Sequence, residues 1–323
     1  LLLLARVLPR VTAVPALPLL APWYRVVGDG ERLLLEYAQS LVVLEGAAVR
    51  TLLPALLPLL DGTRSVDDLV VRLGPPARPA VEAALELLAG HGVVIDGPDA
   101  PADVRDAARA AAAGHLLPPA LAADRLRSAT VGVVGSGPVR LEVVRLLAAA
   151  GIGSMRRVGW GSRGRADLAV VAPAADELDR LPAWNRAALA SGTPFLLVRP
   201  WDGRMAAVGP LVLPGQTCCY ECLLLRRGAN SGFGADLAEV EAAPLAAAPD
   251  PALTALAAAV AAHVSVRWAI GGDRSVPGVL YTVEMHPILR LSEHAVLRVP
   301  RCPACSVAER AAPPLPWHAA LAA

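Results

Sequence analysis

Four of the five cysteines in this 323-residue chain fall in two pairs of equal spacing, Cys219-Tyr-Glu-Cys222 and Cys302-Pro-Ala-Cys305. A Cys-x-x-C turn aims two thiolates at one ion, and two such turns complete a tetrahedral shell of four sulfurs. A closed shell leaves no open coordination position, so the spacing predicts a structural zinc held by Cys219, Cys222, Cys302 and Cys305. A redox Cys-x-x-C needs only one pair, and a disulfide framework belongs to small secreted chains. Buried free thiols are the remaining alternative. Cys218, the fifth, reads as a small packing residue, with substitution as a ligand the other reading.

The second chemical signal is Gly135-Ser136-Gly137-Pro138-Val139-Arg140, directly after the strand-like TVGVV. Dinucleotide-binding folds carry G-x-G-x-x-G at this point, opening a helix. Gly135 and Gly137 fit, but Arg140 stands where the third glycine belongs. The acid that usually follows the second strand is also missing: MRRVGW runs on to Asp167 without one. The fold is therefore expected and a working nucleotide site is not. All 30 basic residues are Arg, which excludes a P-loop lysine, a Schiff-base lysine and a lysine phosphate clamp. The histidines His91, His115, His263, His286, His294 and His318 show no metal spacing. Neither H-E-x-x-H nor G-x-S-x-G occurs. The scattered Trp residues read as core.

These residues need a scaffold, and the length suggests two domains. With 55% hydrophobic and 18% charged residues there is ample material for buried cores. Residues 23–46 alternate like strands, with turns at Gly28-Asp29-Gly30 and Ala38-Gln39. An irregular helix follows over about 47–60. Ser65 caps the next, with Asp68 completing a capping box and Gly74 ending it. A third helix spans about 77–88 with Val81, Ala84, Leu85 and Leu88 inward, and VVID follows as a wing. Three strands, three helices and a wing describe a winged-helix module over 1–96. Residues 97–127 read as a linker with one helix. From 128 to 323 the pattern is α/β: ADLAVVAP and PFLLVRP suit buried parallel strands, Asp250-Pro251 opens a long helix ending at Gly271-Gly272, and VLYTVEM and AVLRVP are late strands.

The apolar N-terminal run is interrupted by Arg6 and Arg10 and broken by Pro9, Pro15 and Pro18, so it lacks the order of a signal peptide. No membrane span is expected, and the chain is assigned to the cytoplasm. The formal net charge of +1 argues against a nucleic-acid partner. The Pro-rich APPLPWHA near the end suits an extended segment or a disordered one.

Taken together, VGVVGSGPVR, ADLAVVAP, GPLVLPGQTCCYECLLLRR and VLRVPRCPAC resemble the ThiF/MoeB-like adenylating proteins. More closely they resemble the ocin-ThiF-like proteins of thiazole/oxazole-modified microcin and thiopeptide biosynthesis. Residues 23–96, with LLDGTRSVDDLVVRL, resemble the PqqD-like leader-peptide recognition element. The resemblance implies an α/β chain in two parts. A winged-helix, PqqD-like module would precede a ThiF-like Rossmann-type domain with a degenerate nucleotide site and a structural zinc. It further implies an accessory protein that binds the leader of a ribosomal precursor peptide. That protein presents the peptide to a YcaO-type cyclodehydratase, which forms azolines with ATP. By position, the leader would meet the strand Ser40, Leu41, Val42, Val43 and Leu44 and the helix residues Arg78, Val81, Glu82 and Leu85, by strand addition. No catalytic residue is implied, ATP is not expected, and the oligomeric state is open, a homodimer included. The competing readings are an active adenylating enzyme and a winged-helix DNA-binding regulator. The charge balance and the lack of Lys oppose the latter.

Overall fold

The computed structural model describes residues 13–28, 30–37, 40–97, 119–161, 166–231, 234, 236–245, 250–285 and 287–306. The expected turn at Asp29, the connection Ala38-Gln39, most of the expected linker, His115, His286, His318 and the Pro-rich tail lie outside the described residues. The chain forms two compact units, the first ending at Asp124 and the second beginning at Arg125.

In the first unit, strands β2 (Arg25–Gly28), β3 (Arg32–Tyr37) and β4 (Ser40–Glu45) form an antiparallel sheet in that order, so β4 is an edge. Its register pairs Leu33 with Leu44, Leu34 with Val43, Leu35 with Val42 and Glu36 with Leu41. The two-residue period then sorts the faces. Leu33 and Leu35 are buried, with Val42 and Leu44 packed on the same core. Leu41 and Val43 point outward, 56% and 47% exposed.

Pro54 and Pro58 break the next segment into α1 (Ala47–Thr51), α2 (Leu53–Leu56) and a 3-10 turn. Helix α3 (Val66–Leu73) has the full capping box: Asp68 N–H reaches Ser65 Oγ at 3.2 Å and Ser65 N–H reaches Asp68 Oδ2 at 3.0 Å. Helix α4 (Arg78–Gly90) buries Val81, Leu85, Leu88 and Ala89. The expected wing, Val94–Asp96 (β5), pairs instead with Pro18–Leu20 (β1), a strand the sequence pattern did not reveal. Pro18 is tolerated because it is the first residue of a two-stranded pairing.

The second unit is built on a seven-stranded mixed sheet. Helix α5 (Pro119–Ser128) leads into β6 (Thr130–Val134), α6 (Pro138–Ala150), β7 (Ser154–Val158) and β8 (Leu168–Val171). Next come α7 (Leu181–Ser191), β9 (Phe195–Arg199), β10 (Met205–Val212), α8 (Tyr220–Ser231) and α9 (Leu237–Ala242). Helix α10 (Pro251–Gly271), β11 (Val279–Glu284) and β12 (Arg290–Ala295) complete it. The order is β12-β11-β10-β9-β8-β6-β7. Strands β6 to β9 run parallel, and β8 and β9 are buried at every residue, as their unbroken apolar runs require. Strands β10 to β12 are antiparallel.

The expected late strand AVLRVP is corrected. β12 ends at Ala295, which pairs with Val279, the first residue of β11; Val296 N–H still donates to Gly278 O at 2.8 Å, and the ladder stops there.

Helix α10 is long and apolar enough to cross a membrane by length and composition alone, with a mean hydropathy of 1.5. Its Leu253, Ala257, Ala258, Ala261, Ala262 and Ile270 are buried in the core. The small alanines let it lie closely on the sheet, and Asp250 caps its start through Leu253 N–H at 2.9 Å.

Candidate metal centre and glycine loop

The four paired cysteines converge. All four Sγ atoms lie within 4.8 Å of one another, and Cys218 stands outside the group. Cys219 Sγ is 3.8 Å from Cys222 Sγ and 3.7 Å from Cys302 Sγ, and Cys222 Sγ is 3.5 Å from Cys305 Sγ. A tetrahedron with metal–sulfur bonds of about 2.3 Å has edges of about 3.8 Å, so the set fits one metal ion.

The geometry follows from the elements. Cys219 immediately precedes α8 and Cys222 lies in its first turn, where the positive end of the helix dipole favours thiolates. The first N–H of that helix, Tyr220, donates to Asn185 Oδ1 at 3.1 Å, and Asn185 is itself buried. The second pair sits in a turn in which Cys302 N–H donates to Val299 O at 3.1 Å and Ser306 N–H to Cys302 O at 3.0 Å. Arg226 and Arg298 tie this stretch down: Arg226 Nη2 donates to Arg298 O at 3.2 Å and Arg298 Nη1 to Gly215 O at 3.0 Å. Donation from the Cys219 thiol and from Val299 N–H, 3.4 Å away, lowers the Cys222 thiol below its ordinary value. Burial pushes Cys218 up to about 12, leaving a neutral thiol in the core.

The glycine loop has a different occupant from the one its motif suggests. Strand β6 lies between β7 and β8, so the loop sits where three parallel strands end, the place where ligands bind in open α/β sheets. Gly135 has φ +100°, and a Cβ there would lie 2.0 Å from Ala172 O. A Cβ on Gly137 would lie 3.1 Å from Ala174 Cα. The close approach of the loop to Ala172–Ala174 therefore requires glycine at 135 and leaves little room for a side chain at 137.

Into this place Glu177 projects its carboxylate. Oε2 accepts Ser136 N–H at 2.9 Å and Ala174 N–H at 2.9 Å, and Oε1 accepts Trp160 Nε1–H at 3.0 Å. Glu177 is 8% exposed. Trp160, just past β7 where an acid was looked for, meets Trp184 edge to face at 6.3 Å and carries the Arg180 guanidinium over its ring at 5.9 Å. Trp184 is buried in the core, as expected, and Trp160 packs against it. Nothing in the glycine motif pointed to Glu177. The only cue was an acid soon after ADLAVVAP. Arg140 contributes a buried Nε without a hydrogen-bond partner.

The residues expected to meet a peptide divide. Ser40, Leu41 and Val43 are exposed on the edge strand, and Val42 and Leu44 turn to the core. Arg78 and Glu82 are exposed and paired at 3.2 Å, and Arg78 also holds Asp67 at 2.6 Å. Val81 and Leu85 are corrected as direct contacts: both are 0% exposed. Four residues apart on one helix, they share the face that closes the core, and that face is not available to a ligand.

No known family profile matches the chain, and no curated protein matches it. Solved structures do. A heterocyclase in complex with substrate and cofactor is similar over 93% of this chain and 41% of its own, at 25% identity and a TM-score of 0.67. The heterocyclase TruD is similar over 93% of this chain and 45% of its own, at 24% identity and a TM-score of 0.70. MccB of E. coli is similar over 90% of this chain and 97% of its own, at 17% identity and a TM-score of 0.65. This chain has the fold of these proteins. It spans less than half of the two heterocyclase chains and nearly the whole of MccB. The α/β architecture expected for the second half agrees with that likeness.

Proposed function

We propose that this chain is the leader-binding accessory component of an azoline-forming peptide modification system. In this reading, residues 1–96 are a winged-helix, PqqD-like module that takes up the leader of a ribosomal precursor peptide. The second unit is a zinc-braced, ThiF-like scaffold. A separate YcaO-type cyclodehydratase supplies the ATP-dependent chemistry, and the whole assembly is cytoplasmic. The likeness to heterocyclases supports the pathway.

The observation that carries the peptide reading is β4. It ends its sheet, no strand pairs with its far side among the described residues, and it shows Leu41 and Val43 to solvent. An extended leader could add as a further strand, its backbone giving affinity and the outward side chains giving selection. Val81 and Leu85 hold α4 in place, and Arg78 and Glu82 are its contribution to the exposed surface.

The reading that ATP is not a ligand is supported by Glu177. A carboxylate that already accepts the loop's N–H would repel a phosphate and compete for the same donor. Titration of labelled leader into the full chain, followed by azoline formation with the YcaO-type partner present or absent, tests the proposal. Failure of the chain to bind the leader would overturn it. The rival adenylating reading gains ground only if the chain alone exchanges pyrophosphate.

A further inference from the structure

A second built-up place exists in the second unit, next to the cysteine cluster through Leu223 and using no residue of the glycine loop. Between α8 and the strands β9, β10 and β11 lies a small, partly open cleft of about 40 Å³. Leu223, Leu280 and Met205 give it an apolar lining, and Arg199, Arg227 and Thr282 bring polar groups to it. The Arg199 side chain is only 10% exposed, yet its Nε has no hydrogen-bond partner.

Glu241, 6% exposed, lies 2.6 Å from Arg199 Nη2 through Oε2 and pairs with Arg227 through Oε1. One carboxylate faces two guanidinium groups. Asp202 also borders the cleft, but it is exposed, and its Oδ1 accepts Arg204 N–H at 3.0 Å and Met205 N–H at 2.9 Å, closing its own turn. The contact between Arg199 and Glu241 lacks hydrogen-bond alignment, since Glu241 Oε2 is also without a hydrogen-bond partner. Burial works against the Arg199 charge and Glu241 only offsets it. A buried donor left over beside a cleft is the mark of an acceptor yet to arrive.

We propose that this cleft binds a carboxylate carried on a small apolar body. The carboxylate meets Arg227 and the free Nε–H of Arg199, and the apolar part lies on Leu223 and Leu280. The guanidinium fork suits the planar carboxylate. Thr282 Oγ1, 3.2 Å from His294 Nε2, adds a hydroxyl at the rim. Such a carboxylate comes either from a free small acid or from an acidic side chain of a bound peptide. This inference does not rest on the leader-binding reading, because every residue it uses belongs to the second unit.

Three probes test it on the full chain by calorimetric titration: N-acetyl-leucine, N-acetyl-leucinamide, and the capped peptide acetyl-Ala-Glu-Leu-amide. The acid should bind saturably and the amide about ten- to a hundredfold more weakly, the worth of one charge-assisted hydrogen bond. Binding of the capped peptide would assign the carboxylate to a side chain, and binding of the free acid alone would assign it to a small molecule. Arg227→Gln should erase the difference between acid and amide, and Arg227→Lys should keep part of it, each variant being checked for folding by circular dichroism. Equal binding of acid and amide by the wild type would overturn the proposal without recourse to any variant. So would absence of saturable binding by both carboxylate probes, or a folded Arg227→Gln that binds the acid as the wild type does. In those cases the two arginines and Glu241 serve only to brace α9.

Discussion

The carboxylate of Glu177 accepts the backbone N–H of Ser136 at 2.9 Å, so the glycine loop spends a donor on the chain's own anion. Two further donors, Ala174 N–H and the Trp160 indole, converge on the same group. The loop is thereby a packed junction.

The first prediction concerns acid stability. Burial alone would raise the Glu177 carboxyl, but donation from Ala174, Trp160 and Ser136 outweighs it and holds the group below its ordinary value of 4.5. A depressed folded-state value stabilises the fold above the unfolded value and loses that contribution as pH falls through the folded one. Glu177→Gln should therefore lower the melting temperature at pH 7 and flatten its decline below about pH 4.5. Glu177→Ala, which leaves buried N–H groups without an acceptor, should cost about 2–3 kcal/mol. A melting series from pH 7 to pH 3 decides; identical acid limbs in wild type and Glu177→Gln would refute the account.

The loop glycines should matter for packing without any nucleotide. Gly135→Ala meets both a positive φ and Ala172 O at 2.0 Å, so a loss of about 3 kcal/mol or more is expected. The wild-type chain alone should show no ATP–pyrophosphate exchange. Exchange that disappears in a folded Gly137 variant would reverse this reading.

Purified chain should carry about one zinc, as one complete four-sulfur set implies. Cys302→Ser should lose the metal and melt earlier, because ligation free energy is folding free energy. Cys218→Ala should keep both the metal and most of the stability. Elemental analysis alongside melting curves checks all three, and zinc-free wild type prepared with zinc supplied would remove the assignment.

Leader affinity should reside in the β4 edge. Val43→Pro removes a backbone donor at an exposed position, and Leu41→Glu changes the outward surface while leaving the core residues Val42 and Leu44 alone. Each should weaken leader binding by about tenfold, in line with loss of one backbone hydrogen bond or a small apolar contact. Circular dichroism confirms the fold. If both folded variants titrate like wild type, leader addition at this edge is wrong.

Much of this was legible from residue types. Paired Cys-x-x-C spacing named all four sulfurs of the cluster, because tetrahedral thiolate geometry leaves few alternatives. Ser65, Asp68 and Gly74 marked the limits of α3 through local capping chemistry. What stayed hidden depends on distant partners. Pro18–Leu20 became a strand only because Val94–Asp96 came alongside. The spacing of Val81 and Leu85 marked them as inward, as the structure has them, whereas their place in the leader site came from the resemblance by position alone. Glu177 and Glu241 lie in polar stretches whose roles are set by N–H groups and guanidinium groups far along the chain.

The cysteine cluster ties the start of α8 to the stretch beyond β12, and so encloses α10, β11 and β12 within one loop closed by the metal. In the language of amide exchange, this makes the sheet edge conditional. With the metal held, β11 and β12 belong to the slowest-exchanging cooperative unit. With it stripped, they become a separate unit that opens before β6, β8 and β9 do, because the stretch after Ala295 then keeps only the Arg226 and Arg298 bonds, the Val296–Gly278 bond and the packing of Val296 and Val299.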